Sequence, residues 1–297
     1  MNKSRNAAVD LAKYIASIMV IAIHTSLFHD VNENVCFFVV HILCRVAVPF
    51  FAVCTGYFLT QQICQHSNQD SFRTGSLIFK RQWRKLILIY VIWSILYMFY
   101  SIPMWIEIGW FSPFAFVDYV IGAITKGSHY HLWYIWGMIY TFPVFYLIIR
   151  HVSRKWWAII AAVLWALKAT TYGYAYLLKN FSAVTVIFEK LGTFLCPLPL
   201  MLIGALIVTQ PLKSLKTTLL GLGLCFIGLC IEAYALKANG QEAFSYIFFT
   251  MPLCYYLFQA ILKIRMNGFP SVLGNFGKMS VFIYLLKSKS KCRYSML

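Results

Sequence analysis

Three ionisable residues inside one apolar stretch carry the first chemistry legible in this chain: Asp10, Lys13 and His24, within R-N-A-A-V-D-L-A-K-Y-I-A-S-I-M-V-I-A-I-H at residues 5–24. An imidazole titrates near neutrality and can take a proton from a hydroxyl and return it later, so His24 is a candidate general base. At about 100° per residue, the eleven steps from Lys13 to His24 close to within roughly 20°, and the fourteen from Asp10 to within about 40°. All three share one stripe of a helix. A charge near a bilayer centre costs about 2.5–3.5 kcal/mol on insertion scales, so this stripe must face protein or a water-filled cavity. Lys13 and His24 lie roughly 16 Å apart along the axis, which assigns them to different parts of a long ligand or to different steps.

A second apolar stretch, H-I-L-C-R-V-A-V-P-F-F-A-V-C-T-G-Y-F-L, holds Arg45. A buried guanidinium cannot shed its proton and needs an anion. Asp10 and Glu232 are the carboxylates inside the apolar spans, so a structural pair of Arg45 with either stands beside a ligand-binding role. Pro49 is expected to break this helix four residues after Arg45, and Gly56 to loosen its second half, because broken membrane helices line cavities. Lys13, Arg45 and His24 then form a ladder that suits an elongated polyanion with phosphate or pyrophosphate groups. The third piece is S-H-Y-H-L-W-Y-I-W at 128–136. His129 and His131 approach the depth of His24, and Trp133, Tyr134 and Trp136 supply amphipathic rings that equally fit an interfacial belt. The sequence contains no P-loop or G-x-G-x-x-G pattern, and its histidines lack zinc-ligand spacing.

The elements that must position these residues are transmembrane. The 297 residues are 61% hydrophobic and 12% charged with a mean hydropathy of +0.70, the composition of an all-α, polytopic helical membrane protein. Apolar runs near 7–28, 36–60, 83–103, 129–150, 156–176, 191–209, 215–235 and 244–263 are each long enough to cross a core of about 30 Å. Fourteen Lys and Arg residues fall in alternate connections, among them Lys80, Arg81, Arg84, Lys85, Lys213 and Lys216. The positive-inside rule therefore puts the N-terminus in the cytoplasm of an inner (plasma) membrane protein and accounts for most of the net charge of +17. No basic block with exposed aromatics points to nucleic acid. The nine cysteines contain no C-x-x-C pair and read as small core residues, with no metal site expected. The first span starts basic like a signal peptide, but its polar interruptions mark it as a retained helix. The aromatic-rich connection at 104–128 is expected to lie at the interface or cover the outer mouth of the bundle.

A ninth span begins at 271–286 (S-V-L-G-N-F-G-K-M-S-V-F-I-Y-L-L), interrupted by Lys278 and followed by K-S-K-S-K-C-R-Y-S-M-L at 287–297. Crossing would leave Lys287, Lys289, Lys291 and Arg293 outside, against the bias of every other connection. The expectation is a transmembrane unit over 1–286, about nine spans with the last cut short, and a basic tail at 287–297 that is out of frame or truncated. An interfacial helix is the other reading of this segment.

The D-L-A-K-Y-I-A-S-I-M-V-I-A-I-H and R-V-A-V-P-F-F-A-V-C-T-G-Y-F-L helices, the H-L-W-Y opening and the late G-K-M-S-V-F-I-Y-L-L together resemble the bacterial acyltransferase-3 family, in that family's order over nearly the whole chain. The resemblance implies transfer of an acyl group, usually acetyl, from cytoplasmic acetyl-CoA or another acyl-CoA to a hydroxyl of an envelope glycan or similar acceptor. It makes His24 the counterpart of the family's first-helix histidine and Arg45 of its second-helix arginine, with Lys13 where arginine is commoner. On that basis His24 and His131 are the catalytic candidates, and Lys13, Arg45 and Asp10 the candidates for holding the CoA phosphates. Three departures stand out: Lys13 lacks the bidentate fork of arginine, Thr55 replaces a serine, and Lys287 stands where a histidine commonly follows I-Y-L-L. The short connections and E-A-Y-A-L-K-A-N-G-Q-E-A also resemble the membrane half of vancomycin-type membrane-bound serine racemases. A small-molecule (amino acid) transporter, a membrane module of such a racemase and an inactive remnant are the competing classes.

Overall fold

The computed structural model describes residues 6–25, 32–64, 71–125, 127–129, 132–174, 176, 196–241 and 246–264. Those residues form helices: α1 (Ala7–Thr25), α2 (Glu33–Cys64), α3 (Ser71–Glu107), α4 (Pro113–Thr125), α5 (Trp133–His151), α6 (Arg154–Tyr172), α7 (Leu198–Thr209), α8 (Leu215–Ala238) and α9 (Thr250–Lys263). A helix falls within the described part of each of the eight apolar runs. Four helical stretches, Ala7–Thr25, Glu33–Cys64, Thr74–Glu107 and Leu215–Ala238, are long and apolar enough to cross a membrane. The ninth segment at 271–286 and the tail lie outside the described residues.

The bundle is organised around α2 and α7. Leucine, alanine, glycine and methionine cover α7 all round, and nine of its twelve residues are buried, the pattern of a helix with no face for solvent or lipid. Gly56 and Gly204 let the two backbones touch. A β-carbon at Gly56 would collide with the Met201 carbonyl, and one at Gly204 would collide with the Val53 carbonyl and stand 2.6 Å from the Tyr57 nitrogen. Gly56 therefore does not loosen α2; it makes the tightest backbone seam among the described residues, as small residues do between membrane helices.

The outer helices turn apolar faces away from the protein. Along α8, Ile231 is 66% exposed and the neighbouring Glu232 only 8%. Leu88, Ile92, Ile95 and Phe99 form a comparable exposed row on α3. Such contiguous apolar surface belongs against lipid. At about 1.5 Å per residue the 37 residues of α3 reach roughly 55 Å, well beyond a hydrocarbon core, so Lys80, Arg81, Arg84 and Lys85 ride on its projecting first turns and not in a loop. Helices α8 and α9 run antiparallel: the Lys263 ammonium meets the Lys213 carbonyl and Thr218 Oγ1, and Lys237 lies 3.7 Å from Glu33 at the other end.

The 104–128 connection contains α4, which leans on the flank of α3 and the opening of α5. Tyr90 donates to the Ala123 carbonyl at 2.6 Å, and Trp136 and Tyr140 both donate to that of Ile124. These side chains satisfy carbonyls that the end of α4 leaves unpaired. Trp105 is buried against Trp110, Phe116 and Tyr119, whereas Phe114 is 81% exposed.

Candidate functional site

The first helix presents its polar stripe inward. Asp10 is buried, Lys13 and His24 are half-buried, and Ile15 and Ile18 on the other side are exposed. Lys13 holds its ammonium 4.3 Å over the Phe58 ring, and both Lys13 and Asp10 act electrostatically on the buried Cys54. Asp10 and Lys13 thus share one place, on the second half of α2. Antiparallel register carries the rest of α1 along α2: Ala16 and Met19 line one groove with Val46 and Phe50, and α1 packs against both the Cys44–Val46 turn and the Phe37–Leu43 segment. Phe58 and Arg45 are thirteen residues apart, roughly 20 Å along the helix.

The winding at Arg45 is irregular. Phe37–Leu43 is a π-helix, in which the Cys44 N–H reaches back to the Val39 carbonyl, and Cys44–Val46 is a 3₁₀ turn closed by the Ala47 N–H on the Cys44 carbonyl. Proline at 49 cannot donate to the Arg45 carbonyl and crowds it, which supplies the cause. The expected break is absent, since α2 continues through Pro49; the chain changes pitch instead, a feature that recurs at functional sites.

Arg45 faces a cluster built by α6 and the turn before α9. Its guanidinium lies within electrostatic reach of the Tyr172 and Tyr246 hydroxyls. Lys168, 7% exposed on α6, holds its ammonium 4.9 Å from the Tyr172 ring centre and 5.3 Å from that of Tyr246. Tyr246 is the hub, with Trp133, Trp165 and Tyr172 in edge contact and the Cys196 thiol within hydrogen-bonding reach. The turn is pinned from two sides. Trp165 Nε1 donates to the Ile247 carbonyl at 3.2 Å, and Glu232 accepts the Phe248 and Phe249 N–H groups at 2.7 and 2.9 Å and the Tyr174 hydroxyl at 2.5 Å. With its oxygens so engaged, Glu232 caps the start of α9 and is not the partner of Arg45.

Of the sequence-derived candidates, the structure joins Asp10 with Lys13 and sets Arg45 in the second cluster, and His24 stands half-buried near the end of α1. His129 stacks on Tyr97, with ring centres 4.5 Å apart, beside α3 and away from these contacts. His131 lies outside the described residues. Lys168 and Tyr246 escaped the sequence reading. The rule that flagged Lys13, a charge inside an apolar span, applies equally to Lys168 in W-A-L-K-A-T-T-Y; no spacing cue marks Tyr246.

An apolar-faced helical bundle with two cationic clusters turned into the protein defines an integral membrane protein with an internal polar site. An acyltransferase domain family matches residues 6–287, nearly the whole chain, and the chain belongs to this acyltransferase-3 family. It is similar to a serine/alanine racemase of Enterococcus gallinarum, 26% identical over 293 residues that make up 95% of this chain and 40% of that protein. Two amino-acid racemases of Enterococcus faecalis are 27% identical over 184 residues (62% of this chain, 24% of theirs) and 31% identical over 154 residues (52% and 21%). The chain thus spans less than half the length of these relatives. No solved structure matches it.

Proposed function

We propose that this acyltransferase-3 membrane protein moves an acyl group, acetyl in the simplest case, from cytoplasmic acyl-CoA to a hydroxyl of an envelope glycan or similar acceptor. The reading places it in the inner (plasma) membrane with its N-terminus cytoplasmic, the orientation the basic connections favour. The observation that supports it is that α1 sets Lys13 over Phe58 and packs against both the Phe37–Leu43 segment and the Cys44–Val46 turn that bears Arg45. Cations spaced along one axis, one half-buried on an aromatic ring and one in a buried cluster, fit a long phosphate-bearing donor.

Acyl-CoA supplies the activated carbonyl. In this mechanism Arg45 and Lys13 hold its phosphates, and Asp10, one helical turn before Lys13, orients the ammonium. His24 takes the proton from the acceptor hydroxyl as its oxygen bonds to the acyl carbon, then returns it to the departing thiolate. His131 assists at the acceptor side.

Labelled acetyl-CoA added to inverted vesicles tests the reading: label on an acceptor is expected. His24→Ala should lower transfer by about 10²–10⁴-fold, the usual contribution of a general base, and full activity in that variant would remove His24 from the mechanism. The racemase names of the longer relatives favour a second reading, a membrane module that handles a small amino acid. Accumulation of a labelled amino acid in vesicles, without acyl transfer, would establish it instead.

A further inference from the structure

Between α3, α4 and α5 lies an apolar cleft of about 340 Å³, which Asp10, Lys13, His24 and Arg45 do not line. Ile87, Val91 and Ile95 of α3, Val120 and Ala123 of α4 and Tyr140 of α5 form its walls. Val91, Ile95, Val120 and Tyr140 are themselves exposed, so the cleft opens on the side where α3 meets lipid. The polar side chains of its lining are already engaged: Tyr90 donates to the Ala123 carbonyl, Tyr119 to that of Ser94, Trp136 and Tyr140 to that of Ile124, and the Ser94 hydroxyl bonds that of Ser128. What the cleft offers is hydrocarbon. The stripe of α3 that lines it continues past its edge. Lys80, Arg84, Ile87, Val91, Ile95 and Met98 fall within an arc of about 80° on the helix, and Lys80 and Arg84 are both exposed. Arg84 stands one turn, about 5 Å, before Ile87, and Trp83, donating to the Ile139 carbonyl at 2.9 Å, holds this turn against α5. Arg81 and Lys85 add two exposed cations alongside. Asp118, the carboxylate of α4, belongs to the other end, since its neighbour Tyr119 reaches Ser94, about 15 Å along α3 from Arg84.

We propose that this cleft seats one chain of an anionic phospholipid, with the lipid's phosphate on Arg84 and Lys80. The site is separate from the acyl-transfer reading and does not depend on it. An acyl chain that leaves its neighbours in the bilayer gains little apolar energy from an apolar cleft, so the walls fix where the chain lies and not which lipid supplies it. The head decides. Each lysine or arginine near a membrane surface is worth about fivefold in affinity for an anionic lipid. The Arg84 guanidinium adds a fork that fits two phosphate oxygens. Its depth also fits: the stretch of α3 from Leu88 to Glu107 is about 30 Å long, a full hydrocarbon core, which leaves Arg84 and Lys80 at the level of the head groups. A zwitterionic lipid would carry a cation of its own into that place, and a soluble phosphate has no chain for the cleft.

The test titrates lipid into the full chain in detergent micelles and follows thermal unfolding by tryptophan fluorescence. Dioleoyl phosphatidylglycerol is expected to raise Tm saturably, by roughly 3–6 °C at about a hundredfold over its Kd. Phosphatidylcholine with the same chains should act with an apparent affinity about tenfold weaker or worse, and glycerol phosphate, a head without chains, should give no rise. The double variant Lys80→Gln, Arg84→Gln should weaken the phosphatidylglycerol response by about twentyfold, whereas Arg154→Gln with Lys155→Gln, exposed cations at the start of α6, should leave it unchanged. Ala123→Leu, which fills the cleft, should abolish the saturable rise; Val120→Trp serves the same purpose where that variant does not fold. Equal responses to the two lipids, a saturable response to glycerol phosphate, equal losses in the α3 and α6 variants, or an undiminished response after the cleft is filled would each overturn the proposal.

Discussion

The two cationic clusters solve the same problem in opposite ways. Lys13 shares its place with Asp10 from its own helix and leaves its ammonium half-buried over a single ring. At the Arg45 end, Lys168 lies on the two tyrosines that Arg45 also reaches, both oxygens of Glu232 are taken by a turn, and three aromatic residues close around Tyr246. A lysine with a neighbouring carboxylate can wait for its ligand at little cost. A lysine packed among tyrosines without one cannot, and the difference marks the second cluster as the more specialised of the two.

The comparison holds only while α2 keeps both clusters at a fixed separation, and the seam with α7 is what fixes α2. Gly204→Leu is the most damaging change we foresee. Its side chain would enter the space of the Val53 carbonyl and the Tyr57 backbone, beyond the about 1–3 kcal/mol of ordinary core overpacking. Little folded protein should survive detergent extraction, as size-exclusion chromatography would show; a normally folded variant would mean that the two helices are free to separate.

Next in size is Glu232→Ala, which strips acceptors from two backbone N–H groups and the Tyr174 hydroxyl. With about 1–3 kcal/mol for each buried donor left unmade, a loss of roughly 3–5 kcal/mol in denaturant unfolding is expected, and Glu232→Gln should recover part of it. Asp10→Asn, by contrast, should shift stability by about 1 kcal/mol or less, because the Lys13 it leaves behind is only half-buried. Equal losses at the two positions would erase the distinction between the clusters.

How much of this was legible beforehand follows from what each rule can see. Hydropathy and the period of the helix located the spans and turned the Asp10, Lys13 and His24 stripe inward, because insertion cost acts residue by residue. The same arithmetic could not tell a kink from a change of pitch at Pro49, since that depends on how the freed Arg45 carbonyl is accommodated by its neighbours. Gly56 looked like a weak point and is a contact, because a glycine's meaning is set by the helix across from it, here Gly204 and Met201 on α7. Glu232 offered itself as a partner for Arg45 on scarcity alone. The turn it actually serves, Tyr246 to Phe249, has no periodicity to announce it, and the cluster around Tyr246 joins residues from α2, α5, α6 and two connections. Helix α4 was hidden for another reason: its apolar run is too short to count as a span and too aromatic to read as a loop.

The effect at Lys168 is the most discriminating, because its sign decides. Lys168→Met removes an ammonium that has no carboxylate among the described residues, replacing it with an apolar chain of similar length. If the charge is there for a ligand, the ligand-free protein should gain stability, by about 1–2 kcal/mol, as buried charges replaced by fitted apolar groups commonly do. If the charge is instead a packing element, its contacts with Tyr172 and Tyr246 are the stabilising term; desolvated cation–π pairs are worth about 2 kcal/mol or more, and the variant should lose by that amount. Lys13→Met supplies the baseline, with a change within about 0.5 kcal/mol in either direction expected for a half-buried cation on one ring. Urea titration of both variants in the same detergent, without added anions, reads the two signs side by side. A gain at Lys168 beside a flat response at Lys13 fits one cluster that awaits an anion and another that already shares its place with Asp10.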